Sequence, residues 1–345
     1  MSARFLKRVA LSAAAAIDVP AIPRRLLRDR GLVFMLHRFR NPDLGLPGHD
    51  PEELRRSLGF LRRRGSELVS LEELLRRLAS PTSGVHGAIA FTIDDGYADQ
   101  ASIGLPIFAE FDCPVTTFVT TGFLDGALWF WWDRIAYVFS RISATSVRVR
   151  VGSQPLEFRW SCTVERDRAC HDFTQRCKAL EETTKLRAID SLAAEAGVEV
   201  PTHPPAEYAP VSWDDVRSWE ARGMSFGPHT VTHPVLSRTE NRQSEHEIDE
   251  SWRRLRAEAR APTPVFCYPN GQPGDFGERE FRTLTRAGFL GAVVGTAGYA
   301  SAAALRGDTA SRFAVPRYSW PGDVPTLAQY ASGLERLKQL VLRRV

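Results

Sequence analysis

Short apolar runs alternate with amphipathic stretches over most of this sequence. The apolar runs are rich in aliphatic, aromatic and β-branched side chains, which is typical of buried strands. The predicted strands are residues 31–37, 68–69, 87–93, 114–121, 224–227, 265–268, 292–294 and 313–317. The predicted helices are residues 51–64, 71–78, 102–111, 212–222, 245–261 and 277–287. This alternation predicts an α/β fold of βα units with a parallel sheet or barrel.

The alternation is interrupted between about residues 124 and 210. Residues 147–151 and 156–160 alternate in polarity around a short turn, which predicts a β-hairpin. Residues 163–197 are polar and mostly helical in pattern. We interpret this block as a mixed α/β insertion, not as an independent domain. An aromatic cluster ahead of the hairpin could stack on sugar rings or fill the core of the insertion, and we favour the core. Its members are Trp129, Trp131 and Trp132.

Both ends of the sequence are basic. We divide the chain into a basic helical segment at residues 1–30, a main domain at 31–323 and a basic amphipathic helix at 324–345. The two ends could lie on an anionic membrane surface or pack on the main domain, and the sequence supports both about equally. No run approaches the ~18 apolar residues of a transmembrane helix. The Ala-rich residues 9–17 are too short and too weakly hydrophobic to predict a cleaved signal peptide.

Composition restricts the classes of partner. The 345 residues carry a net charge of +4, and no basic tract is interleaved with aromatics, which argues against nucleic acid. The five cysteines have neither zinc-ribbon nor CxxC spacing, so no disulfide framework is expected and a reducing compartment fits. We therefore expect a cytoplasmic protein whose basic ends allow contact with the inner face of a membrane.

The first candidate for chemistry is the pair of carboxylates at the end of strand 87–93. Adjacent side chains on a strand point to opposite faces, so Asp94 and Asp95 can serve two different roles. Gly96 then allows a sharp turn, because it has no Cβ. Taken alone, the Asp-Asp-Gly sequence is more often an ordinary turn.

Two further segments follow other predicted strands. His229 and His233 are four residues apart, and Pro234 indicates a loop. Together with one carboxylate they suit catalytic zinc or a similar divalent ion, although an isolated pair of this kind is more often two unrelated polar residues. The Pro269-Asn270-Gly271 turn after strand 265–268 could aim a backbone N–H at an oxyanion, but alone it is an ordinary turn.

In combination and in this order, the three segments resemble the polysaccharide deacetylases with the NodB-homology domain, carbohydrate esterase family four. The resemblance covers roughly residues 31–320 apart from the insertion, and it includes the Ser212-Trp213-Asp214 and Gly288-Phe289 segments. It implies a distorted, incomplete (β/α) barrel of the NodB-homology type. The active site would lie at the carboxyl ends of the strands.

The resemblance also implies roles for individual residues. Asp94 is similar to the family's catalytic base, and the Asn270 N–H to its oxyanion donor. The ligands of a divalent metal, with zinc as the first candidate, would be Asp95, His229 and His233. The residues assigned to substrate binding are Tyr97, Tyr268 and Pro269.

Two features of the family are missing. Cys267 stands where the family usually has an arginine that orients the base. We name Arg317 as its candidate replacement, the alternative being a surface arginine. There is no Leu-x-His near the C-terminus, where the family usually places its general acid. His37 is the candidate substitute, the alternative being a hydrogen-bonded histidine at the end of a strand.

The resulting hypothesis is a metal-dependent hydrolase for N-acetyl groups on a sugar of a polysaccharide, oligosaccharide or lipid-linked glycan. An alternative is a catalytically weak glycan-binding protein built on the same barrel. Another is a metal-dependent amidase that acts on a non-sugar C–N bond.

Overall fold

The computed structural model describes residues 26–82, 84–152 and 154–342. These residues form two compact units, one made of the residues up to Leu124 together with those from Pro210 onward, the other of Asp125–Ala209. The predicted basic segment at residues 1–30 lies outside the described residues except for its last five.

The strands of the described residues are β1 (Arg30–Leu36), β2 (His86–Ile93), β3 (Val115–Val119), β4 (Ser146–Val151), β5 (Gln154–Arg159), β6 (Ser225–Pro228), β7 (Val265–Cys267), β8 (Gly291–Val293), β9 (Ala300–Ser301) and β10 (Tyr318–Ser319). The helices are α1 (Pro51–Arg63), α2 (Leu71–Ala79), α3 (Leu105–Glu110), α4 (Thr121–Leu124), α5 (Trp131–Arg141), α6 (Thr163–Lys178), α7 (Glu182–Ala196), α8 (Trp213–Glu220), α9 (Asn241–Glu258), α10 (Glu278–Arg286), α11 (Ala302–Arg306), α12 (Thr309–Arg312), α13 (Val324–Ala331) and α14 (Leu334–Leu342).

The main sheet has the order β10-β1-β2-β3-β6, and all of these neighbours are parallel. β9 pairs with β1 in the antiparallel sense. β7 and β8 form a separate parallel pair, and a single bridge joins Val293 of β8 to Val315. Within the described residues the strands do not close into a ring, as expected for an incomplete barrel. The predicted α/β fold with a parallel sheet is confirmed.

Local sequence explains where several helices begin. The Asp50 side chain accepts from the N–H groups of the first turn of α1, and Ser70 does the same for α2. α8 opens with a capping box between Ser212 and Asp215. α2 buries four leucines against the sheet, and each contributes about 1.5–3 kcal/mol by leaving water.

Three predicted elements differ from the structure. Residues 68–69 make only one bridge, from Leu68 to Ile89. The strand predicted at 313–317 is wrong, because Pro316 has no N–H to donate to a ladder; Val315 makes one bridge and the pairing resumes at β10. The single C-terminal helix predicted at 324–345 is two helices, since Gly333 adopts a φ of 80° between α13 and α14.

The unit Asp125–Ala209 has a hydrophobic core of its own. β4 and β5 form the predicted antiparallel hairpin, and their inward side chains pack against α5, α6 and α7. Trp131 packs against this cluster from its edge. Trp129 contacts the rings of Tyr137 and Tyr208 at centroid distances of 5.3 and 5.8 Å. None of the helices in the described ranges is long and apolar enough to cross a membrane.

Candidate active site

Parallel pairing brings the polar residues of the site to one edge of the main sheet. Leu36 of β1 lies opposite Ile93 of β2, and the N–H of Asp94 donates to the carbonyl of Leu36 at 3.0 Å. β3 joins β2 to β6, and the N–H of His229 donates to the carbonyl of Val119 at 2.9 Å. The residues that follow β1, β2 and β6 therefore meet at the carboxyl ends of these strands.

A buried arginine holds the carboxylate of Asp94. Nη1 and Nη2 of Arg317 lie 2.7 Å from Oδ1 and Oδ2 of Asp94, respectively. Asp94 is 3% exposed and Arg317 is 2% exposed. A bidentate pair of this kind fixes the plane of a carboxylate as well as its position. Arg317 is therefore an interior residue, and it contacts the carboxylate that the family resemblance assigns to the base.

Every N–H group of the Arg317 guanidinium has an acceptor. Besides the two bonds to Asp94, Nε donates to the carbonyl of Val294 at 3.1 Å. Nη1 donates to the Thr92 hydroxyl at 2.9 Å, and Nη2 to the Cys267 sulfur at 3.3 Å. Because all five donors are used, the guanidinium has one position and orientation. We call this group of residues the Asp94 half of the site.

The electrostatics of the Asp94 half keep the carboxylate ionised. Burial alone would raise the pKa of Asp94, but the charge and hydrogen bonds of Arg317 outweigh it and hold that pKa well below its usual range. Burial raises the pKa of the Cys267 thiol well above its usual value, although the charge of Arg317 opposes the shift. The thiol therefore keeps its proton and donates to Oδ2 of Asp94 at 3.5 Å.

The Asp95 half of the site comprises Asp95, His229 and His233. Oδ1 of Asp95 lies 3.6 Å from Nε2 of His229 and 3.5 Å from Nε2 of His233. The two rings are 4.8 Å apart and nearly perpendicular, at 81°. All three potential ligand atoms lie within 4.8 Å of one another. One carboxylate and two imidazoles converging on a point form a donor set typical of catalytic zinc.

The hydrogen bonds of His229 assign its tautomer. Its Nδ1 lies 2.7 Å from the carbonyl oxygen of Cys267, which can only accept, so Nδ1 carries the proton and Nε2 keeps its lone pair. Burial lowers the pKa of His229 to about 4. Burial and the neighbouring His229 also hold the pKa of His233 well below its usual value. Both rings are neutral at neutral pH, which is the form that binds a metal, so these residues fit a divalent ion.

A second, overlapping set of potential ligands is Asp94, His229 and Cys267. It suits a metal less well for two reasons. Both oxygens of Asp94 already bind Arg317. The raised pKa of the Cys267 thiol keeps it protonated, whereas a metal ligand must be a thiolate.

The loop that carries the two histidines is strained and is held by a buried glutamate. Thr230 and His233 adopt φ values of 66° and 59°, which cost non-glycine residues of order 1–3 kcal/mol each. Glu247 of α9 is 0% exposed and accepts from the N–H groups of Val231 and Thr232 at 2.8 Å. Its other oxygen accepts from the Thr232 hydroxyl at 2.6 Å. Glu247 thus holds the loop in place through three hydrogen bonds.

His37 directly follows β1 and lies beside Asp94 across the strand pair. The Gln100 amide donates to the carbonyl of His37 at 2.9 Å and to that of Asp94 at 2.5 Å, which joins the two strand ends. His37 is exposed to solvent, yet protein atoms crowd around it. This crowding lowers the pKa of His37, while the charge of Asp94 opposes the shift.

The turn after β7 contains the other predicted residues. Asn270 adopts a φ of 58°, and within the described residues its N–H donates to no acceptor. Tyr268 is 2% exposed and stacks on Phe276 at 4.1 Å, and its hydroxyl has no partner among the described residues. Pro269 is also buried. The side chain of Tyr268 therefore lies in the core beneath the turn, and Asn270 offers its backbone.

Tyr97 forms part of the wall beside the site. It is 1% exposed, with the Arg38 guanidinium 3.9 Å above its ring and Phe123 at its edge, 5.3 Å away. Asp99 accepts from Nε of Arg38 at 2.7 Å and from the N–H of Phe39 at 2.6 Å. The ring thus supports Arg38, and the chain after β1 is fixed to the turn after β2.

Sequence reasoning missed several residues that support the site. Thr92 had a local signal, because it lies two residues before Asp94 on a strand and so shares its face. Thr120 had none. It donates to the carbonyls of both Asp95 and His229, at 3.2 and 3.1 Å, and it does so only because β3 lies between β2 and β6. Glu247 was visible only as an acid within a predicted helix.

Several solved structures share this fold. The Streptococcus pyogenes deacetylase PplD, in complex with acetate, matches with a TM-score of 0.57 and 17% identity over 88% of this chain and 98% of that chain. IcaB from Ammonifex degensii matches with a TM-score of 0.54 and 16% identity over 88% and 97% of the two chains. A putative polysaccharide deacetylase from Bacillus anthracis matches with a TM-score of 0.54 and 13% identity over 88% and 69%.

At these identities the structural likeness shows the fold alone, here the NodB-type arrangement that the sequence predicts. No curated protein has significant similarity to the sequence. A family model described as polysaccharide deacetylase matches residues 83–289, which is 207 of 345 residues and includes both carboxylates and both histidines of the site. The chain therefore belongs to the polysaccharide deacetylase family.

Proposed function

We propose that this protein is a divalent-metal-dependent hydrolase that removes N-acetyl groups from the sugars of a polysaccharide, an oligosaccharide or a lipid-linked glycan. Membership of the polysaccharide deacetylase family supports the general reaction. The observation that carries the proposal is the pair of adjacent carboxylates in different environments. Asp94 forms an ion pair with Arg317, and Asp95 lies beside the neutral imidazoles of His229 and His233.

Asp94 is the proposed proton acceptor. Its low pKa keeps it ionised at neutral pH, and the two hydrogen bonds from Arg317 fix its orientation. The same low pKa makes it a weak base, so the water has to be acidified. A divalent ion held by Asp95, His229 and His233 would supply a Lewis acid that lowers the pKa of a water and polarises an acetyl carbonyl.

The N–H of Asn270, which has no acceptor among the described residues, is the proposed donor to the oxyanion that develops when the acetyl carbonyl is attacked. A backbone donor is insensitive to the identity of the side chain, so an asparagine can serve here. The left-handed conformation of Asn270 sets the direction of this N–H, and Gly271, whose N–H bonds to the carbonyl of Pro269 at 2.6 Å, closes the turn.

His37 is the proposed acid that protonates the leaving amine. It is exposed, lies next to Asp94 and has a lowered pKa, so it is a neutral ring at neutral pH. The proton that it would pass to the amine is the one that the attacking water releases. The Gln100 contact fixes the backbone from which the ring projects. A general acid is needed because the substrate amine is a poor leaving group until it is protonated.

The first experiment measures acetate release from N-acetylglucosamine oligomers after chelation and again after zinc, cobalt, nickel or manganese is returned. We expect no release from the chelated protein and recovery on return of one or more ions. The structure of the Streptococcus pyogenes deacetylase contains acetate, which is the product assayed here. Release from simple N-acetyl amines but from no sugar would instead support the non-sugar amidase. Glycan binding without acetate release under any condition would support the binding protein.

The second experiment tests His37. The variant His37→Gln should lose about 10²–10⁴-fold in glycan deacetylation, the range of general acid–base catalysis. It should keep most of its hydrolysis of 4-nitrophenyl acetate, whose leaving group needs no proton. Asp94→Asn serves as the matched control, because loss of the base should impair both reactions. Equal losses for both substrates in His37→Gln would contradict the acid role.

A further inference from the structure

A basic pocket lies at the opposite end of the main sheet from the site. Its volume is about 530 Å³, and Leu26, Ser301 and Leu340 contribute to its lining. Its charged lining residues are four arginines and one aspartate, namely Arg28, Arg30, Arg306, Arg336 and Asp29. The seven residues of β1, at about 3.3 Å each, place Arg30 about 20 Å from the end of the strand that carries His37.

Arginines outnumber carboxylates in the lining of this pocket by four to one. Asp29 is 3.8 Å from Arg28, an exposed pair whose arginine side chain remains 77% exposed. Arg306 donates from Nε to the carbonyl of Leu78 at 3.0 Å, a contact with a neutral group that leaves its charge in place. The complement to this surface is therefore anionic.

An exposed apolar face adjoins the pocket on α14. Leu334, Leu337 and Leu340 are 37%, 44% and 40% exposed, and they are three of the six large apolar side chains that are exposed in the described ranges. At about 100° per residue they cover one arc of about 120° on the helix. Arg336 and Lys338 fall just outside the two borders of that arc.

The opposite side of α14 faces the protein. Glu335 accepts a hydrogen bond from Gln329 of α13, and its side chain is only 13% exposed. The orientation of the helix is thereby settled, with its leucines outward and Arg336 along one border of the leucine arc. Lys338 lies along the other border, where its ammonium contacts Glu335 at 3.1 Å. This distribution of side chains is typical of helices that lie in the plane of a lipid interface. In such helices the leucines enter the acyl chains and the cations meet the phosphates.

We infer that α14 and the basic pocket form a docking surface for an anionic phospholipid bilayer, with the pocket accepting lipid phosphate. The leucines of α14 enter the interface, and Arg28 and Arg336 meet the headgroups. The amino ends of the parallel strands of the main sheet then face the membrane. The carboxyl ends of these strands, which carry the site, face away from it. This inference does not depend on the proposed function, since it concerns a separate surface.

The test is sedimentation of the full chain with vesicles of phosphatidylcholine, with or without phosphatidylglycerol. We expect binding to the vesicles that contain phosphatidylglycerol, and loss of that binding at high salt. Arg336→Gln should weaken the partition constant about fivefold. Leu337→Ser should weaken it about tenfold. Acetate release from a soluble glycan oligomer should be unchanged in both variants.

Two control variants match these changes elsewhere on the same compact unit. Leu44 is exposed to the same 44% as Leu337 but follows the other end of β1, so Leu44→Ser should bind vesicles as the wild type does. Arg282→Gln removes an exposed arginine from α10 and should also bind normally. Urea midpoints of all four variants verify that each is folded.

Three results would overturn the inference. The first is that Arg336→Gln and Leu337→Ser bind vesicles as tightly as the wild type. The second is that Leu44→Ser loses as much binding as Leu337→Ser, which would indicate a general effect of surface apolarity. The third is that the protein ignores the anionic vesicles while inorganic phosphate raises its melting temperature through Arg336, which would assign the pocket to a soluble anion.

Discussion

Asp94 and Asp95 are neighbours in the sequence, yet the two halves of the site that they begin are opposite in character. In the Asp94 half, the protein provides its own cation, because Arg317 binds both oxygens of the carboxylate at 2.7 Å. In the Asp95 half, the groups that converge are a carboxylate and two neutral imidazoles, all of which donate electron pairs.

The difference shows how one strand end can perform two tasks. A carboxylate with a fixed internal counter-ion stays ionised and oriented whatever is bound nearby. A carboxylate grouped with two imidazole lone pairs gains most from a cation that comes from solution. β2 ends at Ile93, and the φ of 86° at Asp95 turns the backbone between the two neighbours, so that their side chains meet different elements.

The largest expected effect comes from Asp94→Asn, which removes the proton acceptor and leaves the Asp95 half intact. Acetate release should fall about 10²–10⁴-fold. Metal content, measured by mass spectrometry after dialysis, should remain as in the wild type. Asp95→Asn is the contrasting variant and should lose both activity and metal. If Asp94→Asn keeps full activity, or loses the metal, the division of the site into two halves is wrong.

The next effect concerns Arg317→Gln, which leaves the Asp94 carboxylate buried without its partner. Breaking a buried ion pair from one side costs about 3–5 kcal/mol in the free energy of unfolding. Urea denaturation at neutral pH should show this loss. The exposed Arg282→Gln should change the free energy of unfolding very little.

The same variant has a predictable pH dependence. In the wild type the depressed pKa of Asp94 stabilises the fold above the unfolded pKa of about 3.9, and this contribution is lost as the pH falls toward the folded pKa. In Arg317→Gln, burial without the arginine raises the pKa of Asp94, so that folding takes up a proton. The deficit relative to the wild type should therefore be largest at neutral pH and should shrink as the pH falls below about 4. A deficit that is independent of pH would show that Arg317 acts by packing alone.

A smaller effect is expected from Glu247→Gln, which acts on the Asp95 half only. It replaces the carboxylate that accepts from the His loop at Val231 and Thr232. Loss of a group that orients ligands typically weakens metal affinity about 10–100-fold, which competition with a chromogenic chelator measures. Glu245→Gln, on the same helix with a side chain that is 46% exposed, is the matched control. Unchanged metal affinity in Glu247→Gln would show that the hydrogen bonds of Glu247 to the histidine loop do not orient the metal ligands.

The smallest effect is expected from Cys267→Ala. It deletes a thiol that contacts Asp94 at 3.5 Å and Arg317 at 3.3 Å, so the free energy of unfolding should fall by about 1 kcal/mol. Metal affinity should not change, because the backbone carbonyl of Cys267, and not its sulfur, orients His229. Loss of metal from this variant would favour the competing ligand set of Asp94, His229 and Cys267.

Much of the fold was predictable because the period of polarity reports the local backbone. The strand predicted at 31–37 is β1 at Arg30–Leu36, and the hairpin predicted around residue 152 is β4 and β5. The failure at 313–317 has a local cause that the apolar pattern concealed. Pro316 cannot donate to a neighbouring strand, so apolar character there indicates burial without a ladder.

The residues of the site also fall into a group that the sequence identified and a group that it did not. Asp94, Asp95, His229 and His233 stand in short segments at strand ends, and the family resemblance of these segments in combination implied a base and a set of metal ligands. The supporting residues are distant in the chain. Arg317 is 223 residues from Asp94, and Glu247 reaches the histidine loop from another helix.

The sequence by itself therefore determined the elements, the family and the kinds of ligand, because each of these can be identified from short segments and their order along the chain. Only the tertiary structure decided which carboxylate is paired, which nitrogen of His229 carries the proton and how the histidine loop is held. Those properties depend on the strand order and on the depth of burial, which decide which distant side chains meet and how strongly their charges act.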